Sequence, residues 1–464
     1  MGWKRNGEQP CGLALAVSAV LLLLSAALGA GSVALGARRL RAKSAKERCA
    51  RLAQPAVSGF PWGAHSRLVA IGDPHSDPVN TLRALRAASV VAPTSWRWIG
   101  GRSILVIIGD VADRGPASLE VFNRLRTLRR DAARAGGVVV RLVGNHEALM
   151  LKGDFRYTQP ADFAAFGGRG TLHLHGAWSK GGALAEESRC ASVVVQVGSD
   201  VLVHGGLLRA HLEGAVGGGR AERPRGPGTG AAAAEAACRS STGGSGGAPL
   251  EALNAMGRDA MSLALGDLNG RGARAALAAG STAMRRRIKR LRSFLGSEGP
   301  LWTRLFSRND ESSIACPLLA EALAAVGGGA TRMVVGHTVQ DDGLITTRCD
   351  GRLLLIDTGA SEYYGGHASA LEVLRDGAAT ALYPAGAGGG GEGAAAAALR
   401  VSLAGPGEPR GPAELRAIAA AAEEGVENDL SEREQRKRRH RARAARRAQR
   451  GGAGAETQRR GALY

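Results

Sequence analysis

The chain has 464 residues, is 44% hydrophobic and 4% aromatic, and carries a formal net charge of +20 at pH 7. The excess charge falls in three runs, Arg38 to Arg48, from Met284 and from Arg433, which excludes a uniformly basic surface of the kind that coats nucleic acid. The 6 cysteines are widely spaced with no CxxC pair, which excludes a zinc ribbon and a dense disulfide framework; they read as small buried side chains, with a disulfide or two open if the chain enters an oxidising lumen.

Cys11 to Ala37 contains no charge and is long enough to span a bilayer as a helix, with Lys4 and Arg5 before it and the first basic run after it. Residues 1–50 therefore read as a hydrophobic leader with a basic flank, either a signal anchor or a cleaved signal peptide. The length of the apolar run, 12–37, favours a single-pass membrane anchor, and the positive-inside rule would then hold the following domain in the cytosol. The secretory pathway is the other destination, and an organelle such as the chloroplast is a third.

Beyond the leader, short apolar runs each end in a polar cluster. LVAIGDPHSD (68–77) and ILVIIGDVADRG (104–115) come first, and Leu119, Phe122, Leu125 and Leu128 then mark a helix within 116–136. VVRLVGNHEAL (139–149) and DVLVHGGL (200–207) follow. The Gly/Ala-rich stretch 214–250 reads as a low-complexity surface insertion. RMVVGHTVQ (332–340) and LLLIDTGASEYYGG (353–366) complete the series. Residues 66–384 form one catalytic domain on this reading, and 385–464 form a Gly/Ala-rich linker, a helix from Pro412 to about Ala422, and a basic tail suited to anionic lipid or nucleic acid.

Apolar runs of this length are strands buried on both faces of an α/β sheet, whose ligand sites lie beyond the strands' carboxyl ends. Asp73 and His75 follow the first strand, Asp110 the second, Asn145 the third, His204 the next and His337 the one after. Imidazole and carboxylate together suit Mn, Fe or Zn, and a carboxylate such as Asp110 has two oxygens with which to bridge two ions. Any one of these motifs is weak; six in order are not.

The series GDPHSD, GDVADRG, GNHE, HGG and GHT resembles the calcineurin-like metallophosphatases, and within them the phosphoprotein phosphatases. LKGDFRYTQPADFAAFG, GPLWTR and the DTG segment resemble the Shewanella-like branch. The resemblance implies an α/β sandwich of two mixed β-sheets flanked by helices, with a dimetal site at the strand C-terminal ends. It makes Asp73, His75 and Asp110 ligands of a first metal, and Asp110, Asn145, His204 and His337 ligands of a second. Hydroxide shared by the two ions would attack a phosphomonoester, with His146 as general acid, Asp113 orienting it, and Arg114, Asn145 and Arg304 holding the phosphoryl group. The implied partner is a phosphoprotein, modified on Ser or Thr or on Tyr. A diadenosine tetraphosphatase-like nucleotide hydrolase and an inactive phosphoprotein-binding scaffold are the alternatives.

Within the pattern, Ser76 stands where that family's first motif has Gly, and Ala112 where GDxxDRG has a larger aliphatic residue. The first should place a side chain close to the metals; the second should loosen the packing beneath Asp113. Glu147 reads as a structural hydrogen-bonding group and Trp302 as core packing.

Overall fold

The computed structural model describes residues 62–167, 170–216, 247–266, 277–384 and 398–403, together with Cys49. The chain divides into two compact units, Met1–Ala53 and Gln54–Tyr464. The apolar leader, residues 217–246 of the insertion and the basic tail lie outside the described residues. Among those described, no helix is long and apolar enough to cross a membrane.

Two sheets form the second unit. The first has the order β11-β10-β9-β1-β2-β3, with β1 (Leu68–Ile71), β2 (Ile104–Ile107) and β3 (Val138–Arg141) parallel, and β9 (Ala370–Val373), β10 (Ala379–Pro384) and β11 (Ala398–Leu403) antiparallel. The second has the order β4-β5-β6-β8-β7, in which β5 (Asp200–Val203), β6 (Arg332–Val335) and β8 (Leu353–Leu355) are parallel. β4 (Val194–Val197) and β7 (Thr346–Arg348) are its antiparallel edges.

Each central strand divides its side chains between two cores. Leu68, Ala70, Ile104, Val106, Leu202, Val334 and Leu354 belong to one cluster, and their alternate neighbours Val69, Ile71, Leu105, Ile107, Val203 and Leu355 belong to the other. With period-2 alternation both faces of a strand must be apolar, which is why these strands read as unbroken hydrophobic runs.

Helices cover the second cluster. α1 (Pro78–Ala87) starts at the Asp77 cap, whose carboxylate accepts the N–H groups of Val79 and Asn80. α2 (Ser118–Arg134) buries Phe122, Leu125 and Leu128 as the spacing predicts and leaves Leu119, in its first turn, half-buried, while its polar face is solvated. α3 (Asn145–Leu151) is short and buried, and its first residues belong to the site. α4 (Arg209–Val216) and α5 (Gly247–Ala264) flank the insertion, so the two ends of the 214–250 stretch are helical. α6 (Thr282–Phe294) and α7 (Cys316–Val326) belong to the same layer, as do the shorter helices Gly170–Trp178 and Ala183–Cys190.

Of the two readings of the cysteines, the preferred one of buried thiols gives way for one pair. Cys316, at the start of α7, and Cys349, in the turn between β7 and β8, are joined by a disulfide, with Cα atoms 5.5 Å apart. They are 33 residues apart in sequence, and only the pairing of β6 with β8 brings their elements together.

Candidate active site

Every strand-end motif delivers its polar residues to one place. The chain leaves β1, β2 and β3 of one sheet and β5, β6 and β8 of the other in the same region, and the residues just beyond converge. His75, Asp110, Asn145, His146, Arg304 and His337 line a single cavity of about 160 Å³.

The backbone is unusual at these positions. His75, Ser76, Asp110, Asp113, Arg114 and His337 all have positive φ, between 42° and 69°. A left-handed conformation costs a residue with a Cβ about 1 kcal/mol or more, so this strain persists only because the surrounding hydrogen bonds over-determine it. Glu147 supplies many of those bonds. Its fully buried carboxylate accepts the N–H groups of Asp110, Val111, Ala112 and Gly144 at 2.8–3.1 Å, tying the loop after β2 to the start of α3. Neighbouring glycines permit the close approach. A Cβ at Gly144 would lie 2.1 Å from Asp110 Oδ1, and one at Gly336 would lie 2.3 Å from Asp73 Oδ1.

Carbonyl groups set the histidine tautomers. His75 Nδ1 lies 3.2 Å from the Ala112 carbonyl, His204 Nδ1 lies 3.2 Å from that of Ile108, and His337 Nε2 lies 3.0 Å from that of Trp302. A carbonyl oxygen only accepts, so each of these nitrogens carries the proton and the other ring nitrogen keeps its lone pair. His75 Nε2 then faces Asp110 Oδ2 at 3.7 Å, and His204 Nε2 faces Asp110 Oδ2 at 3.3 Å and Asn145 Oδ1 at 2.9 Å. Acceptors directed at acceptors over such distances are what a cation between them resolves.

Electrostatics point the same way. Burial, with the like charges of Asp357 and Asp110, raises Asp73 well above the usual carboxylate range, and Asp73 Oδ1 is a buried oxygen without a hydrogen-bond donor. Burial lowers His75 to about 3 and His337 to about 2, each with help from a neighbouring imidazole. Burial would raise Asp110 too, but the histidines, His204 foremost, outweigh it and hold this carboxylate well below its ordinary value. Buried carboxylates beside imidazoles at His75 and His337 that resist protonation make a site that fits divalent cations.

Two groups of potential ligands have their donor atoms within 4.8 Å of one another: Asp110 with His204 and His337, and Asp110 with His75 and His146. Asp110 is common to both. Asp73 belongs to neither triad; its Oδ2 accepts the His337 N–H at 2.9 Å, and its Oδ1 lies 3.9 Å from His204 Nδ1.

His146 is held differently from the other histidines. Its Nδ1 lies 2.9 Å from Asp113 Oδ2, and the Thr158 hydroxyl donates to the other oxygen of Asp113 at 2.6 Å. Burial opposes protonation of His146, but Asp110 and Asp113 overcome it and the pKa is raised. Arg114 therefore does not pair with Asp113. Its guanidinium lies 4.0 Å above the Tyr157 ring and donates to the Tyr363 hydroxyl at 2.9 Å. Arg304 reaches the site from the loop that precedes a short helix and touches the His337 carbonyl at 3.4 Å. Both arginines have a buried Nε–H with no acceptor among the described residues.

Ser76 directs its hydroxyl at the Val111 carbonyl, 3.4 Å away, rather than into the cavity. Ala112 is fully buried, its backbone held by Glu147 and His75. Trp302 packs edge-on against His337 with ring centroids 5.8 Å apart and also lines the cavity.

Asp357 and Tyr364 were not among the residues that strand-end reasoning selected, although both sit in the DTG segment. Asp357, just past β8, lies close enough to Asp73 to help raise it, and is itself raised to about 6, chiefly by burial. Tyr364 lines the cavity beside His75 and is raised to about 12, again chiefly by burial. The rule that selected Asp110 and His204, a polar residue directly after an apolar strand, would have selected Asp357 too.

The calcineurin-like phosphoesterase family model matches residues 66–222. An uncharacterised protein of Schizosaccharomyces pombe is 30% identical over 310 residues, covering 66% of this chain and 76% of that protein. Shewanella-like protein phosphatase 2 of Arabidopsis thaliana is 29% identical over 353 residues, covering 67% and 75%. Among solved structures, the cold-active protein-tyrosine phosphatase of a psychrophilic Shewanella superposes with a TM-score of 0.51 at 19% identity, covering 76% of this chain and 84% of that one; that likeness is one of fold.

Proposed function

Because the chain belongs to the calcineurin-like phosphoesterases, we propose that it is a two-metal phosphoprotein phosphatase that hydrolyses phosphoserine and phosphothreonine. The observation that carries this reading is the convergence of the unprotonated ring nitrogens of His75 and His204 on Asp110, with Asn145 Oδ1 facing His204 and beside them a histidine held by its own carboxylate.

Asp73, His75, Asp110, Asn145, His204 and His337 would hold the ions, which are Mn, Fe or Zn by donor type. When bound, two such ions polarise the phosphoryl group and make water a stronger nucleophile at neutral pH. The chain's own residues do the rest. Arg114, fixed between Tyr157 and Tyr363, and Arg304 line the cavity and offer their guanidinium N–H groups to the non-bridging phosphoryl oxygens. Asn145 supplies its side-chain amide next to them. His146 keeps a proton on Nε2 because Nδ1–H is committed to Asp113, and it delivers that proton to the departing serine or threonine oxygen.

Phosphotyrosine is a second reading, favoured by one observation. Tyr157, Trp302 and Tyr364 all line the cavity, so an aryl phosphate would meet aromatic faces on entry. Hydrolysis of p-nitrophenyl phosphate, matched phosphoserine, phosphothreonine and phosphotyrosine peptides, and diadenosine tetraphosphate, with Mn added, tests the proposal in wild type and Asp110→Asn. Metal-dependent turnover confined to the dinucleotide would reject the protein-phosphatase reading, and no turnover at all would reject the enzyme.

The Cys316–Cys349 disulfide supports a location for the domain in an oxidising compartment, reached through the leader as a secretory signal, over a cytosol-facing anchor. Non-reducing peptide mapping of protein from its native source tests this: two free thiols would return the domain to the cytosol.

A further inference from the structure

The second basic run is the helix α6, and it plays no part in the site. Six cations, Arg285, Arg286, Arg287, Lys289, Arg290 and Arg292, stand on this one helix, which contains no acidic residue. Ile288, Leu291 and Phe294 face inward and are buried. Arg287 pairs with Asp259 of α5 at 2.8 Å. The other five cations have no ion pair among the described residues, and all five are exposed.

On a helix, residues three and four apart are neighbours, so Arg285 and Arg286 abut Lys289, and Arg290 abuts Arg286. The stripe repels itself, and a polyanion laid along it would relieve that repulsion.

Alongside the stripe runs a groove of about 450 Å³ between α4, α5 and α6. Ala252, Ala255, Met256 and Leu291 give it an apolar floor, the Arg287–Asp259 pair closes one side of its rim, and the exposed Arg290 gives the rim its cation. Its walls lead directly to the catalytic loops. α4 begins five residues after His204, and the chain from the end of α6 passes through Gly299 and Trp302 to Arg304. The two segments are pinned together where His211 Nε2 meets the Glu298 carbonyl at 2.8 Å.

We propose that this groove and its basic stripe dock an acidic peptide segment of the protein substrate, one bearing an apolar side chain among its carboxylates. The inference rests on the phosphoprotein reading and adds to it the kind of sequence that the substrate carries away from its phosphate. Charge complementarity selects the carboxylates, and the apolar floor selects the anchor. A lipid surface fits less well, because Ile288, Leu291 and Phe294 are buried and Met284, the other large apolar side chain of α6, is half-buried, which leaves little to enter the acyl region. A nucleic acid fits less well too, since no aromatic side chain lines the groove to stack on a base.

Fluorescence anisotropy with a short fluorescein-labelled peptide of Glu and Asp around one Leu measures docking without turnover. The variant Arg285→Gln/Arg286→Gln/Lys289→Gln/Arg290→Gln, which leaves the Arg287–Asp259 pair intact, should bind it roughly tenfold or more weakly. Ala255→Glu, at an exposed floor position, should weaken binding while every cation remains, as should replacing the peptide's Leu by Ser. For a phosphopeptide carrying the same acidic segment, KM should rise in both variants while kcat and the hydrolysis of p-nitrophenyl phosphate stay at wild-type values. Equal peptide affinity in wild type and both variants overturns the proposal. So does tighter, Leu-independent binding of phosphatidylserine vesicles or a single-stranded oligonucleotide to the stripe. Peptide binding without turnover of any phosphate would instead reject the phosphatase reading and leave the docking surface standing.

Discussion

Replacing Glu147 by Gln changes one atom type in a fully buried group and tests how the site is held. In the native protein Oε1 accepts the N–H groups of Val111 and Ala112, and Oε2 accepts those of Asp110 and Gly144. Glutamine has one oxygen and one NH2 group, so whichever way the amide turns, two N–H donors lose their acceptor and face another donor. A hydrogen bond to a charged acceptor contributes about 1.5–3 kcal/mol, so the two losses together cost about 3–6 kcal/mol. Burial and Asp110 raise the Glu147 pKa, and Gln removes that repulsion, which places the net effect toward the lower end of the range. For a domain of this size class, each kcal/mol lowers Tm by ~2–4 °C, so the expected fall is roughly 10 °C. Calorimetry measures the Tm, and metal content after gel filtration should fall with it, because Asp110 N–H is one of the four donors. A Tm within a degree or two of wild type, with full metal content, would refute the argument and show that Glu147 is a neutral acid in the folded protein.

Ser76→Gly should stabilise the protein by up to about 1 kcal/mol, since Ser76 has a φ of 56° and its hydroxyl bond to Val111 is long; a lower denaturant midpoint would count against strain there. His146→Ala should slow alkyl phosphates by about 10²–10⁴-fold and activated aryl phosphates far less, because only the poor leaving group needs the proton, and equal losses in kcat would remove His146 from that role. Asp162 accepts the Ser118 N–H and hydroxyl at 2.8 and 2.9 Å, and burial raises it from 3.8 to about 6. A raised carboxyl stabilises the fold fully below its unfolded pKa and loses that contribution as pH climbs through about 6. Asp162→Asn, which keeps the acceptor for Ser118, should therefore match wild type near pH 4 and exceed it above pH 6.5, by roughly 3 kcal/mol at most. Urea denaturation at several pH values measures it, and parallel pH profiles would show that the carboxyl is not perturbed.

The order of motifs made much of this protein readable without coordinates. An apolar run followed at once by Asp73, Asp110, Asn145, His204 or His337 states a buried strand and a polar group at its carboxyl end, and both facts are local. The inward face of α2 is local as well, because helical spacing alone puts Phe122, Leu125 and Leu128 together. So is the charge of α6, though not the groove beside it.

What the chain order could not state is which strands share a sheet. All the central strands are apolar on both faces, so their patterns are interchangeable, and the division into two sheets rests on pairings such as Leu68 with Val373. That closure brings the DTG segment back to the first motif. It sets Asp357 against Asp73 and Tyr364 beside His75, and lets Tyr363 hold Arg114. The tautomers of His75, His204 and His337 were undetermined for the same reason, since the carbonyls of Ala112, Ile108 and Trp302 that assign them come from other segments. Sequence alone determined which side chains stand at strand ends; the tertiary structure decided which atom of each faces the shared site, because hydrogen bonds between distant segments orient a side chain and no local periodicity encodes them.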